Sequence, residues 1–235
     1  MEGHTIREGR RKRHWTQVRA ARAFGVTQAY LSMIESGRRP PSAPLVRKAF
    51  RLFDLPPTVL PLQMGAALLH TPLPKDDFSQ ALAHLGYPGF AYLKSEKKSR
   101  KHLNPAQVLL EALNRPDLDA RVAEGLPWLA MTYVDMDWCW LMRNAKLQDR
   151  QNRLGFALSL GREVALGRRD SQLETDLGLH MEVLEKSRLA REDTFCHDSM
   201  TQAEKVWLRK HRSAAAAHWN LLTDLTGEHL AYATR

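Results

Sequence analysis

Gln28, Ala29, Ser32 and Met33 fall within "TQAYLSMIES", residues 27–36, where apolar side chains recur at helical spacing. Projected at about 100° per residue, Leu31, Ile34 and Glu35 share one side, with Thr27 below them and Tyr30 on the flank. Ala29, Ser32 and Met33 point the other way, and Gln28 projects from the helix start. A merely solvated helix face carries Lys and Glu. This one is small and neutral with a single carboxamide at its leading edge. Such a face suits close approach to base edges: the Gln28 amide can pair with adenine N6 and N7, and Ala29 and Met33 offer apolar surface to a thymine methyl.

The same projection finds two charges that turn inward. Ile6 and Arg10 share a face of the first helical segment, so Arg10 points in with the apolar side chain, as Glu35 does from the third. Either charge alone would be buried and unpaired, a cost that only the other can offset. The expectation is a structural Arg10–Glu35 ion pair tying the first helix to the third.

The elements that must position these residues are short. Thr5 is expected to cap a helix to about Arg13, Thr16 one to Phe24 and Thr27 one to Ser36. "SGRRPPSAP" is a loop, because paired prolines cannot continue a helix. A fourth helix is expected from Pro44 to Phe53 and a fifth from "DLPPTVL". Charge is concentrated in the same stretch: residues 1–60 carry twelve Lys or Arg against four Asp or Glu, whereas the remainder carries 23 against 22. Nearly all of the formal +9 therefore sits in the first quarter of the chain, and that quarter calls for a polyanionic partner.

These residues resemble the phage-repressor, Cro-type helix-turn-helix, the Xre family. The resemblance covers about residues 5–65 and rests on Thr16-Gln17, Ala21, the Gly25-Val26-Thr27 turn and "YLSMIESG". It implies a five-helix, lambda-repressor-like domain that places the helix over 28–36 in the major groove of double-stranded DNA. By position, Thr27, Gln28, Ala29, Ser32 and Met33 would face bases or nearby phosphates, while Gln17, Arg38 and Arg39 would contact the phosphate backbone. Three departures stand out. His14 occupies a place where glycine usually closes the first helix, and His tolerates the left-handed region better than most residues. Trp15 and Ala20 each replace a common leucine, large against small.

Beyond residue 70 the pattern changes. "HTPLPKDD", residues 70–77, marks a boundary, and 71–103 is expected to be transitional: a short helix ending at Gly86, an extended "GFAYL" and a basic linker, "KSEKKSRKH". From Asn104, a cap before a proline at the first helical position, the chain is expected to be helical to residue 235. Leu147, Leu154, Leu158 and Val164 form one stripe and Leu173, Leu177, Met181 and Leu184 another, while Thr201 and Glu204 are spaced as a capping box before a long last helix. The fold class is all-α throughout. The Trp128, Trp138, Trp140, Trp207 and Trp219 side chains are expected in the core, with a ligand pocket as the sharper alternative.

Several chemistries are excluded by pattern. Cys139 and Cys196 have no C-x-x-C partner, and reduced thiols in a cytoplasm are the economical reading. Asp135 and Asp137 lack a histidine or glutamate partner at ligand spacing, so helix capping is expected there rather than a metal. No H-E-x-x-H, P-loop or G-x-S-x-G pattern occurs, and no enzyme, metal or cofactor is expected. Neither a secretory signal nor a membrane span is expected from the sequence. The expected activity is transcriptional regulation by a homodimer on a palindromic operator, the helical part over 104–235 supplying dimerisation. The alternatives are an antitoxin whose helical part holds a toxin partner, and a ligand-responsive repressor.

Overall fold

The structure, a computed structural model, describes residues 3–62, 77–93, 103–230 and 232. It is mostly helical and divides into two compact units, one within 1–64 together with 102–104, the other within 65–101 and 105–235. Most of the boundary segment near residue 70 and the basic stretch 94–102 lie outside the described residues.

In the first unit, α1 (Gly3–Lys12), α2 (Gln17–Phe24), α3 (Gln28–Glu35) and α4 (Ala43–Phe53) enclose one apolar core. Ile6, Ala20, Leu31, Ile34 and Ala49 are fully buried in it, with Phe24, Leu45, Phe53 and Leu55 around them. α1 begins before Thr5, which stands inside the helix rather than at its cap. The reason is contact: a side chain at Gly3 would meet the Ile34 carbonyl, so the first turn lies directly on the end of α3. Gly9 likewise lets α1 approach the Phe53 side chain. The fifth helical element is a single 3₁₀ turn, Pro57–Val59. It stops there because Leu60 precedes Pro61 and adopts the extended conformation that a following proline imposes (ψ 145°). Asn104 belongs to this unit, where its amide donates to the Thr58 and Leu60 carbonyls at 2.9 and 2.8 Å.

The second unit contains α5 (Asp77–Leu85), α6 (Pro105–Leu113), α7 (Ala120–Thr132), α8 (Trp138–Leu147), α9 (Gln151–Gly167), α10 (Ser171–Glu185), α11 (Gln202–His211) and α12 (Ala214–His218). Residues expected to be transitional contribute to its core, since Phe78, Leu82, Tyr87 and Phe90 are buried. "GFAYL" is not extended: Pro88 opens a 3₁₀ segment to Leu93, and the Tyr87 ring packs edge-on against Phe90 at 5.6 Å. α9 is the centre of the unit and is buried on all sides from Gln151 to Gly161 rather than along one stripe, with Leu154, Phe156, Leu158, Leu160 and, further on, Val164 inside. Leu147 does not continue that stripe. It ends α8, 73% exposed, because the chain reverses at Asp149 (φ +54°) before α9 begins.

The long last helix is interrupted. Arg212 is extended, Ser213 caps the short α12 by accepting from the Ala216 N–H, and Asn220 takes a positive φ of 54° beyond it. The chain then forms β2 (Leu221–Leu222), parallel to β1 (Asp193–Thr194) with Asp193 opposite Leu221. The capping box at Thr201 and Glu204 is present. Trp138 stacks on His180 at 4.1 Å, Trp128 packs on Tyr87 at 5.4 Å, and the buried Trp219 donates to Ser159 Oγ at 2.8 Å. Trp128 is only partly buried, and Trp207 departs furthest from the core, half exposed and stacked on His211. Asp137 caps α8, accepting from the Trp140 N–H at 2.9 Å.

Candidate nucleic-acid interface

Two threonine caps and one glycine set the helix pair of the first unit. Thr16 accepts from the Arg19 N–H and opens α2; Gly25 (φ +73°) closes it and returns its own N–H to Ala21 and Arg22; Thr27 accepts from the Tyr30 N–H and opens α3. Each threonine cap contributes about 1 kcal/mol. The left-handed turn at position 25 is the conformation in which glycine alone is unstrained. Ahead of α2, His14 adopts φ +54° and closes α1 in the left-handed region. Trp15 lies edge-on to Phe53 at 5.6 Å and carries the Arg19 guanidinium over its face at 4.6 Å, while Ala20 is fully buried.

On α3 the inner wall is Leu31, Ile34 and Glu35, all buried. Gln28, Ala29 and Met33 are exposed and Ser32 is partly so. Thr27 is exposed too, though its oxygen is spent on the cap. Past the helix, Gly37 (φ +75°) turns the chain and places Arg38 and Arg39 at the surface. The Arg39 N–H donates to the Met33 carbonyl at 3.2 Å, and its guanidinium lies over the Tyr30 ring at 5.4 Å. Arg7, Arg11, Lys12, Arg13, Arg19 and Arg22 are exposed as well, so the whole unit presents a basic surface.

Arg10 and Glu35 meet beneath that surface. Arg10 Nε donates to Glu35 Oε1 at 2.6 Å and Nη2 to Oε2 at 2.9 Å, while Nη1 donates to the Trp15 carbonyl at 2.8 Å. Burial by itself pushes the Glu35 carboxyl up, but the hydrogen bonds from Arg10 and Gln17 and the charges of Arg10 and Arg7 outweigh it and hold it below its ordinary range. The Arg10 guanidinium is raised, chiefly by its hydrogen bond to Glu35 and against its own desolvation.

The pair does not end with two residues. Gln17, expected at the DNA backbone, donates Nε2 to Glu35 Oε2 at 2.9 Å and accepts from Gln28 Nε2 at 2.7 Å. A continuous chain therefore runs from the partly buried Arg10 through the buried Glu35 and then Gln17 to the exposed Gln28. Helical projection could not find it, because it treats each helix alone, and the link depends on how the Gly25 turn brings the start of α2 to the start of α3.

A second buried arginine also escaped the sequence reading. Arg153 on α9 donates to both oxygens of Asp193 at 2.8 Å, to Asp198 at 2.9 Å and to the carbonyls of Leu113 and Arg115. Its sequence signal is weak, a charge at the head of the apolar run "RLGFALSLG" that directly follows the polar stretch 149–152. Among the described residues no group of three or more His, Cys, Asp or Glu could hold a metal ion, and no helix is long and apolar enough to cross a membrane.

Two capped helices joined by a left-handed glycine turn, with a lean outer face and surrounding arginines, define a helix-turn-helix DNA-binding domain. Residues 6–60 match the helix-turn-helix family model, and the unit is of the Xre, phage-repressor type. That domain supports a DNA-binding transcription regulator of the same type. Comparison with curated proteins and with solved structures gives no match, and the larger unit matches no family.

Proposed function

We propose that the chain is a sequence-specific repressor or autoregulator, a binding protein rather than an enzyme, that lays α3 in the major groove of a palindromic operator. The observation that carries this reading is the outer face of α3: Gln28, Ala29, Ser32 and Met33 offer one carboxamide and three short or apolar groups, with no charge to reject a base edge. Gln28 reads adenine, and Ala29 and Met33 lie against thymine methyl groups. Thr27, the remaining amide hydrogen of Gln17, Arg38 and Arg39 meet phosphates, which fix the register without reading sequence. Two copies, associated through the larger helical unit, occupy half-sites about one helical turn apart.

Selection of bound sequences from a random duplex pool by the full chain tests the reading. The expected product is an inverted repeat with half-sites about 10 base pairs apart, centre to centre. Gln28→Ala should erase the preference at one position in each half-site and leave the others. Failure to enrich any sequence would overturn the proposal, and enrichment of a single unrepeated site would overturn its dimeric part.

A further inference from the structure

We propose that Glu35 is a positioning residue for base recognition: acting through Gln17, it fixes the sense of the Gln28 carboxamide so that Gln28 selects adenine over guanine. The inference rests on the assignment of Gln28 to the base edge made above. It gives the buried ion pair a second role besides joining α1 to α3.

Donors and acceptors along the chain decide the sense of each amide. An ionised carboxylate only accepts hydrogen bonds. The Glu35 oxygens take Arg10 Nε, Arg10 Nη2 and Gln17 Nε2. Gln17 must therefore turn its NH2 group toward Glu35, which leaves its Oε1 on the opposite side. That oxygen accepts from Gln28 Nε2 at 2.7 Å, so Gln28 in turn must direct its NH2 group toward Gln17. What remains at the exposed end is the Gln28 Oε1 and its second amide hydrogen, an acceptor and a donor side by side. Adenine offers the complement, the N6 donor and the N7 acceptor; guanine offers two acceptors, O6 and N7.

Reversing the chain would change the base. With Gln17 turned over, its NH2 would donate to Gln28 Oε1, and the Gln28 NH2 would lead with two donors, the pattern that suits guanine. A free glutamine samples both senses. Here the reversed one would set the Gln17 carbonyl oxygen against the Glu35 carboxylate, two acceptors with no hydrogen between them. The choice is thus made at a buried residue two side chains away from the DNA.

The test compares the full-length wild type with Glu35→Gln, Gln17→Met and Gln28→Ala. Each is titrated with the selected operator and with its adenine-to-guanine partner at the position that Gln28→Ala identifies. Hydrogen exchange of residues 3–60 confirms that each variant is folded. The wild type is expected to prefer adenine by about 10-fold or more, and both relay variants to fall below about 3-fold. A uniform weakening at the phosphates cancels in this ratio, so a merely structural role for Glu35 would leave it unchanged. Should Glu35→Gln fail to fold, Gln17→Met decides alone, since it leaves the Arg10–Glu35 pair in place. A folded Gln17→Met that keeps the wild-type ratio overturns the relay while the DNA-binding reading stands. An unchanged operator preference in Gln28→Ala overturns the assignment of Gln28 and the relay with it. A wild-type preference for any base other than adenine at that position does the same.

Discussion

Arg10 and Glu35 form a two-point ion pair, 2.6 and 2.9 Å across its two bonds, with side chains only 11% and 3% exposed. Neither group has bulk water to fall back on, so removing one partner leaves a buried charge without compensation. Arg10→Met should destabilise the helix-turn-helix unit by about 3 kcal/mol or more, whereas the double variant Arg10→Met, Glu35→Leu should recover most of that loss. Amide exchange across residues 3–60 measures both, and it separates this unit from the rest of the chain, which a single unfolding curve would not. Equal destabilisation by the single and double variants would show that the pair is not coupled.

The same pair sets an acid limit. Glu35 titrates below its ordinary value of 4.5 in the folded unit, the pull of Arg10 and Gln17 exceeding the cost of burial. A carboxyl depressed on folding stabilises the native state above its unfolded pKa, and that contribution fades as pH falls through the folded one. Exchange protection over residues 3–60 should therefore hold from neutral pH to about 5 and decline below 4.5. In Glu35→Gln that portion of the decline should disappear. A wild-type profile that weakens between pH 7 and 5 would point to some other group.

Arg38 and Arg39 make a separable prediction, because charge at a phosphate adds affinity without information. Neutralising either to Gln should weaken binding to all duplexes alike and lower the slope of log affinity against log salt by about 0.9 for each phosphate no longer neutralised. Arg39 also packs over the Tyr30 ring, so Arg39→Lys should keep the slope but lose part of the affinity. Altered base preference in Arg38→Gln would place that side chain in a groove instead.

Sequence pattern reached the first unit well because its rules are local. Thr16 and Thr27 cap the helices over 17–24 and 28–35, Gly25 turns left-handed between them, and the inward projection of Arg10 and Glu35 needs only helical geometry. His14, which tolerates a positive φ better than most residues, is legible through the family resemblance, from standing where glycine usually closes the first helix. What failed was whatever depends on distance along the chain. The amide bonds of Gln17 to Glu35 and Gln28 join residues 18 and 11 apart in the chain, and projection of a single helix does not find them. Periodicity ran the Leu147 stripe across a turn, since a left-handed Asp149 leaves no trace in the apolar pattern. The polyalanine "SAAAAHW" favours helix by propensity, but Arg212 is extended and Ser213 opens a new helix, so the chain breaks there. Parallel strands of two residues, Asp193–Thr194 with Leu221–Leu222, are too short to show any alternation.

Arg153 is the corresponding ion-pair centre of the larger unit, and its chemistry is more demanding. Its guanidinium satisfies Asp193 through both oxygens, Asp198, and two backbone carbonyls that close α6 and the turn after it. A planar five-donor fork can do this and an ammonium cannot. Arg153→Lys should therefore behave almost like Arg153→Met, each costing about 3 kcal/mol or more in protection of the amides over 103–230. Near-wild-type protection in the lysine variant would mean that charge, rather than the fork, is what the site requires.

The two cysteines differ sharply in environment, and alkylation should separate them. Cys196 is 1% exposed, and burial pushes its thiol up to about 12, with the neighbouring Arg153 lowering it only in part. Thiolate is the nucleophile, so a group that stays protonated and covered does not react. Cys139 lies exposed near the start of α8. Iodoacetamide at pH 8 should add one carbamidomethyl group to the native chain, found at Cys139 by peptide mass mapping, and a second only after denaturation. In Arg153→Met the bonds from Arg153 to Asp193, Asp198 and the Cys196 sulfur are gone, so local opening should expose the thiol and the second label should appear without denaturant. Labelling of both cysteines at equal rates in the native wild type would contradict the burial of Cys196 and, with it, the closed arrangement around Arg153.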